Sequence, residues 1–177
     1  MTIGIFGGSF NPIHVGHINL AKGIMQTGLI DELWFMVSPH NPLKEESSLM
    51  PDKERFELVC KAVEKIKGVK ASDFEFHLRK PSFMYLTLRK LYDEYPQHDF
   101  VLVIGADNWL CFDKWKEHEE ILSNHKIIIY PRKGYEIDKQ SLPENVIFLD
   151  LPLYDISSTQ IRQMIARGED VSKLIAT

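Results

Sequence analysis

Short apolar segments alternate with helical segments along the whole chain, and this alternation limits the fold more than any other feature of the sequence. The apolar segments are bounded by Gly, Pro, Asp or Asn and lie at 3–6, 33–37, 69–74, 100–104, 126–130 and 146–149. Because these runs lack polar alternation, they predict strands that are buried on both faces. Such strands are typical of parallel sheets that helices cover.

The helical segments supply the covering layers. The clearest lies at 52–67, and Gly68 follows it as a stop signal. Its apolar residues recur at helical spacing, at Phe56, Val59, Cys60, Val63 and Ile66. Further helices are predicted at 17–27, 84–94, 114–123 and 158–167. The pattern predicts an α/β fold, a doubly wound Rossmann-like parallel sheet of about five to six strands with helices on both faces. Ligands bind such sheets at the carboxyl ends of the strands.

Size and composition fit a single domain that spans 1–177. Of the 177 residues 44% are hydrophobic and 26% are charged, which excludes a disordered or fibrous chain. A formal net charge of -4 does not favour a broad surface for nucleic acid. Cys60 and Cys111 belong to no CxxC pair. They predict buried thiols in a reducing compartment rather than a disulfide or a zinc site.

The start of the chain lacks the basic and long apolar regions of a secretory signal. Its apolar runs are far shorter than the ~20 residues that a membrane helix needs. We therefore expect a cytoplasmic protein with no membrane partner. Whether the chain forms a homo-oligomer is left open.

The segment between the first predicted strand and the first helix carries the strongest chemical signal. It contains Gly7, Gly8 and Gly16, and glycines let the backbone approach a ligand closely. Free N–H groups at the start of the following helix favour an anion. His14 and His17 stand three positions apart there, so both rings can donate hydrogen bonds to one phosphate chain. Neither a Walker A loop nor a GxGxxG fingerprint is present.

Taken alone, two histidines at this spacing are equally a loose metal pair or ordinary residues at a helix start. A metal site would need more ligands, and 1–30 contains no cysteine and no carboxylate side chain. The sequence therefore favours a phosphate site and predicts no metal held by the protein alone.

Three motifs together resemble a known family. Residues 7–17 are similar to the GGxFxPxHxGH signature of the nucleotidyltransferase superfamily, in the form found in bacterial nicotinate-nucleotide adenylyltransferases. Residues 156–162 resemble that family's ISSTxIR motif, and 104–107 followed by Trp115 resemble its GAD…W element. The motifs stand in the family's order and cover nearly the whole chain.

The resemblance implies an ATP site at the ends of the predicted strands and at helix starts. The residues implied in ATP binding are Gly7, Gly8, Ser9, Phe10, His17, Gly105, Asp107, Ser158, Thr159 and Arg162. A catalytic role in charge neutralisation is implied for His14, His17, Lys44 and Arg162. From the residues alone, Asp107 is equally a helix cap, and Ser157 or Ser158 can cap the helix at 158–167.

A second set of residues is implied in binding the other substrate, namely Lys44, Arg55, Ser82, Met84, Trp115 and Arg132. Without the resemblance, Lys44 and Arg55 are equally solvated surface cations. Trp115 is equally a core residue, whereas the resemblance implies that it stacks on a pyridine ring. Met84 stands where the family has a threonine near that ring, so the choice between an acid and an amide substrate is left open.

The implied reaction is adenylyl transfer from ATP, with Mg²⁺, to nicotinate mononucleotide, which gives nicotinate adenine dinucleotide and pyrophosphate. Two alternatives are a pantetheine-phosphate adenylyltransferase and a nucleotide-binding module without turnover. The family usually continues past the third motif with a further helix, and we expect that helix to be missing here. Because the motifs precede it, stability or oligomer contacts should suffer more than substrate binding.

Overall fold

A six-stranded parallel sheet forms the centre of the computed structural model, which describes residues 1–40 and 49–175. Its strands are β1 (Thr2–Gly8), β2 (Glu32–Val37), β3 (Val69–Ser72), β4 (Asp99–Gly105), β5 (Ile127–Tyr130) and β6 (Val146–Phe148). Their order is β3-β2-β1-β4-β5-β6, and all neighbours pair in parallel. The predicted doubly wound, Rossmann-like fold is confirmed.

Helices cover both faces of the sheet. They are α1 (Val15–Gln26), α2 (Asp52–Val63), α3 (Met84–Glu94), α4 (Ala106–Leu110), α5 (His118–Asn124) and α6 (Ser158–Ala166). On one face α1 and α2 pack against a core that includes Phe6 and Phe35. On the other face α3, α4 and α5 pack against a core that includes Ile3 and Ile5. Successive side chains of β1 thus enter opposite cores, which explains why its sequence does not alternate.

Three predicted boundaries are wrong. The third strand ends at Ser72 rather than at 74, because residues 74–77 turn into a short 3₁₀ helix whose first N–H bonds to the Ser72 hydroxyl at 3.2 Å. The helix predicted at 52–67 ends at Val63, and Ile66 lies in the following turn. The helix predicted at 114–123 begins only at His118, because Glu117 has a left-handed backbone with φ of 56°.

The prediction of two buried thiols is also wrong. Cys60 is exposed and Cys111 is half-buried. On α2 the buried residues are Arg55, Val59 and Val63, so the inward stripe is rotated away from Cys60. The described residues contain no helix that is long and apolar enough to cross a membrane.

The topology leaves a crevice in the middle of the sheet. β1 pairs with β2 on one side and with β4 on the other, and the order of the strands reverses between β1 and β4. The connections that follow these two strands therefore leave in opposite directions. Doubly wound sheets bind ligands at this point, outside the carboxyl ends of the strands.

Candidate functional site

The two histidines of the loop after β1 lie ring on ring at the start of α1. Their ring centroids are 3.7 Å apart, with an angle of 26° between the planes. His14 is the N-cap residue, and its Nδ1 accepts a hydrogen bond from Gly16 N–H at 3.1 Å. Nδ1 of His17 accepts one from His14 N–H, also at 3.1 Å. Because both Nδ1 atoms are acceptors, each neutral ring carries its proton on Nε2.

Both imidazoles are held neutral. Burial, followed by the nearby charge of Arg132, lowers the pKa of His14 to about 4. Burial also holds the pKa of His17 well below its ordinary value, and His14 and Arg132 add to the effect. No described residue hydrogen-bonds to either Nε2 atom. The pair therefore offers two neutral N–H donors, a suitable arrangement for phosphate oxygens.

The expectation of free N–H groups at the start of α1 is wrong. Val15 N–H bonds to the carbonyl of Leu174 at 2.9 Å, and Gly16 N–H bonds to the His14 ring. His17 N–H bonds to the His14 carbonyl at 3.1 Å. The first turn of α1 therefore has no backbone donor left for an anion, and the imidazoles themselves are the donors at this helix start.

The first turn of α6 packs on the same loop. Ser158 Oγ donates to the carbonyl of Pro12 at 2.8 Å, and Arg162 Nη1 donates to the carbonyl of Asn11 at 2.7 Å. Ser157, not Ser158, caps the helix through a capping box with Gln160. The backbone N–H groups of Ser158 and Thr159 have no partner among the described residues. α6 thus provides the free helix start that α1 lacks.

Arg162 keeps most of its donors. Besides its bond to Asn11, the guanidinium donates from Nη2 to Thr159 Oγ1 at 3.2 Å. A guanidinium has five N–H donors, so it can also bind an anion beside the exposed Thr159.

Asp107 follows the carboxyl end of β4. The N-cap position of α4 belongs to Gly105, so the alternative role of Asp107 as a helix cap is wrong. Asp107 Oδ1 is buried, accepts no hydrogen bond from the described residues, and lies 3.8 Å from Arg132 Nε. A Cβ atom on Gly105 would lie 2.6 Å from this oxygen and 3.0 Å from Arg132 Cγ. Gly105 therefore allows the carboxylate and the guanidinium to meet over the end of the strand.

A cavity of about 420 Å³ opens at the carboxyl ends of the central strands. Its lining includes Ser82, Met84 and Trp115, three of the residues predicted to bind the second substrate. The glycines at the end of β1 also line it, and the Met84 methyl group would lie 3.0 Å from a Cβ atom on Gly7. Trp115 packs against Phe112, with centroids 5.2 Å apart, and still lines the cavity. The cavity suits a flat ring beside an indole.

Several residues of the cavity were missed in the sequence. Those with polar or charged side chains are Ser38, Glu75, Asn108, Lys114, Lys116 and Tyr130. Glu75 is buried, with only 2% of its surface exposed. Glu75 directly follows the strand predicted at 69–74, and an acidic residue at that position is a signal that could have indicated a site.

Two of the predicted site residues have buried side chains. Phe10 is 3% exposed and packs edge-on against His17 at 5.0 Å between ring centroids, so its side chain helps to position the histidine, and its role in ATP binding stays a prediction. Arg55 is fully buried, not a surface cation. Its guanidinium donates to Asp52 and to the carbonyls of Met50, Ser9 and Ser38. It therefore joins the loops after β1 and β2 to α2 and is closed to a substrate.

Other predicted residues occupy open or undescribed positions. Ser9 is exposed, and Arg132 lies beside the histidines and Asp107 rather than in the cavity lining. Lys44 lies outside the described residues. The described residues form no cluster of three or more His, Cys, Asp or Glu side chains that could hold a metal ion.

Similarity to known proteins identifies the family of this chain. The family model described as cytidylyltransferase-like matches residues 5–164. A protein from Bacteroides fragilis, named "Probable nicotinate-nucleotide adenylyltransferase", is 51% identical over 95% of this chain and 84% of its own. One of the same name from Bacteroides thetaiotaomicron is 48% identical over 97% of this chain and 85% of its own. The chain belongs to the nicotinate-nucleotide adenylyltransferase family.

A solved structure gives the same fold. The nicotinic acid mononucleotide adenylyltransferase of Plasmodium falciparum, complexed with APC, aligns with a TM-score of 0.81 at 22% identity. The alignment covers 98% of this chain and 90% of that one. The matched range 5–164 contains both histidines, Asp107 and Arg162, so this adenylyltransferase-family chain carries its whole candidate phosphate site within the family region.

Proposed function

We propose that this chain transfers the adenylyl group of ATP to nicotinate mononucleotide, and that it releases pyrophosphate and nicotinate adenine dinucleotide. The observation that carries the proposal is the arrangement at the sheet's switch point. A cavity of about 420 Å³ lined by Trp115 opens at the end of β1, and the loop that follows β1 carries two Nε2–H donors and packs against the free start of α6. The cavity has the size and lining for a pyridine nucleotide, and the donors suit a polyphosphate.

The chemistry needs no general base. A phosphate monoester is largely dianionic at neutral pH, so the mononucleotide phosphate is already a nucleophile. One of its oxygens forms a bond to the α-phosphorus of ATP, and the bond from that phosphorus to the bridging oxygen of pyrophosphate breaks. The chain must align two anions that repel each other and stabilise the charge that develops on the leaving group.

The described residues supply this stabilisation from two sides. His14 and His17 donate from Nε2, and the N–H groups of Ser158 and Thr159 donate from the start of α6. Arg162 adds a fixed positive charge, because its bond to Asn11 ties it to the histidine loop. An anion brought next to the imidazoles would also favour their protonated forms and strengthen the contact.

The remaining proposed contacts with the substrates follow from where the side chains lie. Asp107 Oδ1 accepts no hydrogen bond within the described part of the chain, so it is suited to accept one from a ribose hydroxyl. Trp115 would stack on the pyridine ring, and Arg132 would bind a phosphate near the histidines. Lys44 is kept as a proposed phosphate ligand on the resemblance alone. We expect the enzyme to act in the cytoplasm.

We propose that Mg²⁺ enters with ATP. The ion binds a few carboxylates together with substrate phosphates rather than a cage made only of protein groups. Asp107 is a candidate carboxylate for this role, because its buried Oδ1 forms no hydrogen bond with the described residues. When bound, the ion would neutralise part of the triphosphate charge.

The test is a comparison of three acceptors with ATP, namely nicotinate mononucleotide, nicotinamide mononucleotide and phosphopantetheine. The proposal predicts dinucleotide and pyrophosphate formation with nicotinate mononucleotide at the highest kcat/KM. Preference for phosphopantetheine would assign the chain to the alternative adenylyltransferase. Binding of ATP without pyrophosphate release from any acceptor would indicate a module without turnover.

A further inference from the structure

A buried hydrogen bond joins two walls of the cavity. Glu75 lies in the 3₁₀ turn after β3 and is 2% exposed, and Thr87 lies in α3 and is fully buried. Thr87 Oγ1 and Glu75 Oε2 are 2.8 Å apart. Neither residue belongs to the three motifs that carry the histidines, Asp107 and Arg162. A buried carboxyl group must be held by its surroundings, because burial without partners is costly.

The second oxygen of Glu75 has no such partner. Oε1 is buried and forms no hydrogen bond with the described residues, and the residue lines the cavity. Burial raises the pKa of Glu75, an effect that the hydroxyls of Thr87 and Ser38 only partly oppose. The cavity also contains Lys114 and Lys116 at its exposed side.

The bond between Thr87 and Glu75 lies next to the residues at the start of α3 that line the cavity. Thr87 Oγ1 is also 3.4 Å from the carbonyl of Phe83, the N-cap residue of α3. Ser82, Phe83 and Met84 line the cavity, yet no side chain caps this helix start. The Phe83 carbonyl accepts a hydrogen bond from Thr87 N–H at 3.1 Å, so the bond from the Thr87 hydroxyl to Glu75 ties the first turn of α3 to the 3₁₀ turn after β3.

We propose that Glu75, acting through Thr87, is a positioning residue that sets the cavity wall formed by Ser82, Phe83 and Met84 and thereby controls the affinity for the mononucleotide. The inference rests on the proposed function, since it assigns the cavity to that substrate. It predicts an effect on one substrate only, because the histidines and α6, which face the triphosphate, do not touch this link.

The test uses four variants and two titrations. Thr87→Val and Glu75→Leu remove the bond. Thr87→Ser keeps the hydroxyl, and Glu75→Gln keeps an uncharged partner for it. Isothermal titration calorimetry gives the Kd of each for nicotinate mononucleotide and for a non-hydrolysable ATP analogue. We expect Val and Leu to weaken mononucleotide binding about fivefold, as the loss of one hydrogen bond implies, with ATP-analogue binding within about twofold. Thr87→Ser and Glu75→Gln should bind the mononucleotide as the wild type does.

A matched control is Thr27→Val, which removes the bond of another threonine hydroxyl, to the Ile24 carbonyl, at the far end of α1. It should leave both Kd values unchanged. Equal weakening of both ligands, unchanged Kd values with a lowered Tm, or a Gln variant as weak as the Leu variant would each overturn the inference. Wild-type turnover is measured separately. Its absence would refute the proposed function, whereas the ratios of Kd values test Glu75 alone.

Discussion

His14 and His17 stack at 3.7 Å, and each ring is fixed through Nδ1 by a backbone N–H of the loop itself. The backbone therefore selects the tautomer of both rings and leaves Nε2–H for a ligand. An anion site at a helix start usually relies on backbone N–H groups. Here the N–H groups of the first turn of α1 already bond to His14 and to the Leu174 carbonyl, and the imidazole N–H groups serve as the donors instead.

Removing one of these donors should slow the reaction without unfolding the chain. His17→Ala should lower kcat by about 10²-fold, the order expected for the loss of one preorganised donor. Pyrophosphate release measures the effect, and near-ultraviolet circular dichroism checks the fold. Turnover equal to that of the wild type would refute the role of His17.

The folded state should lose stability in acid because of His14. Its pKa is lowered to about 4 in the folded chain from an ordinary value of 6.5, so the unfolded chain binds the proton more readily between these values. Stability therefore falls as the pH falls from about 6.5 towards 4, by roughly 2 kcal/mol at pH 5 for this residue. His14→Asn keeps a cap-forming side chain.

Urea denaturation of the wild type and of His14→Asn at pH 7.5 and pH 5 measures this contribution. The wild type should lose more stability between the two values than the variant does. Equal losses in the two proteins would show that His14 does not titrate as described.

Gly16 should be required for the geometry of the pair. A Cβ atom there would lie 2.9 Å from His14 Nδ1 and 2.8 Å from Ile156 Cγ2, so Gly16→Ala must displace the ring. We expect a loss of kcat of at least about tenfold, because catalysis depends on sub-ångström placement of its groups. Steady-state kinetics measure it.

Gly23→Ala is the matched control in the same helix. Its Cβ would lie 3.2 Å from the end of the flexible Leu151 side chain, and alanine favours a helix interior. This variant should keep full activity. If Gly16→Ala also kept full activity, the close packing of the His14 ring against Gly16 would not matter for catalysis.

Arg55 should matter for stability. Arg55→Met leaves the carbonyls of Ser9, Ser38 and Met50 without this donor and removes the ion pair with Asp52, which keeps a longer pair with Lys80 at 3.8 Å. We expect a loss of about 3 kcal/mol or more in the free energy of unfolding. Arg89→Met breaks an exposed ion pair with Glu120 and should cause no measurable change. Equal unfolding curves for the two variants would contradict the buried role of Arg55.

Sequence patterns predicted the strands well because each buried strand is a continuous apolar run. They failed where a local backbone state decided the outcome, as at Glu117, whose positive φ delays α5. The short α4 was missed because its five residues contain too little periodicity. Side-chain roles were predicted less well than motifs. Arg55 was misplaced because burial of a cation depends on carbonyls from distant loops, which no local pattern reveals.

The same limit applies to the site. The motif positions of the histidines and of Arg162 come together as the sequence predicted, through the bond from Arg162 to the Asn11 carbonyl. The satisfied N–H groups of α1 could not be foreseen, because one of their acceptors is Leu174, at the other end of the described chain. The role of Glu75 was not predicted for a related reason, because its partner Thr87 lies on a different element.

The most direct measurement is product analysis with the purified wild-type chain, ATP, Mg²⁺ and nicotinate mononucleotide. Mass spectrometry and a pyrophosphate assay should give nicotinate adenine dinucleotide and pyrophosphate in equal amounts, with about 10²-fold less dinucleotide from His17→Ala under the same short incubation. Failure of the wild type to form the dinucleotide at saturating concentrations of both substrates would contradict the account.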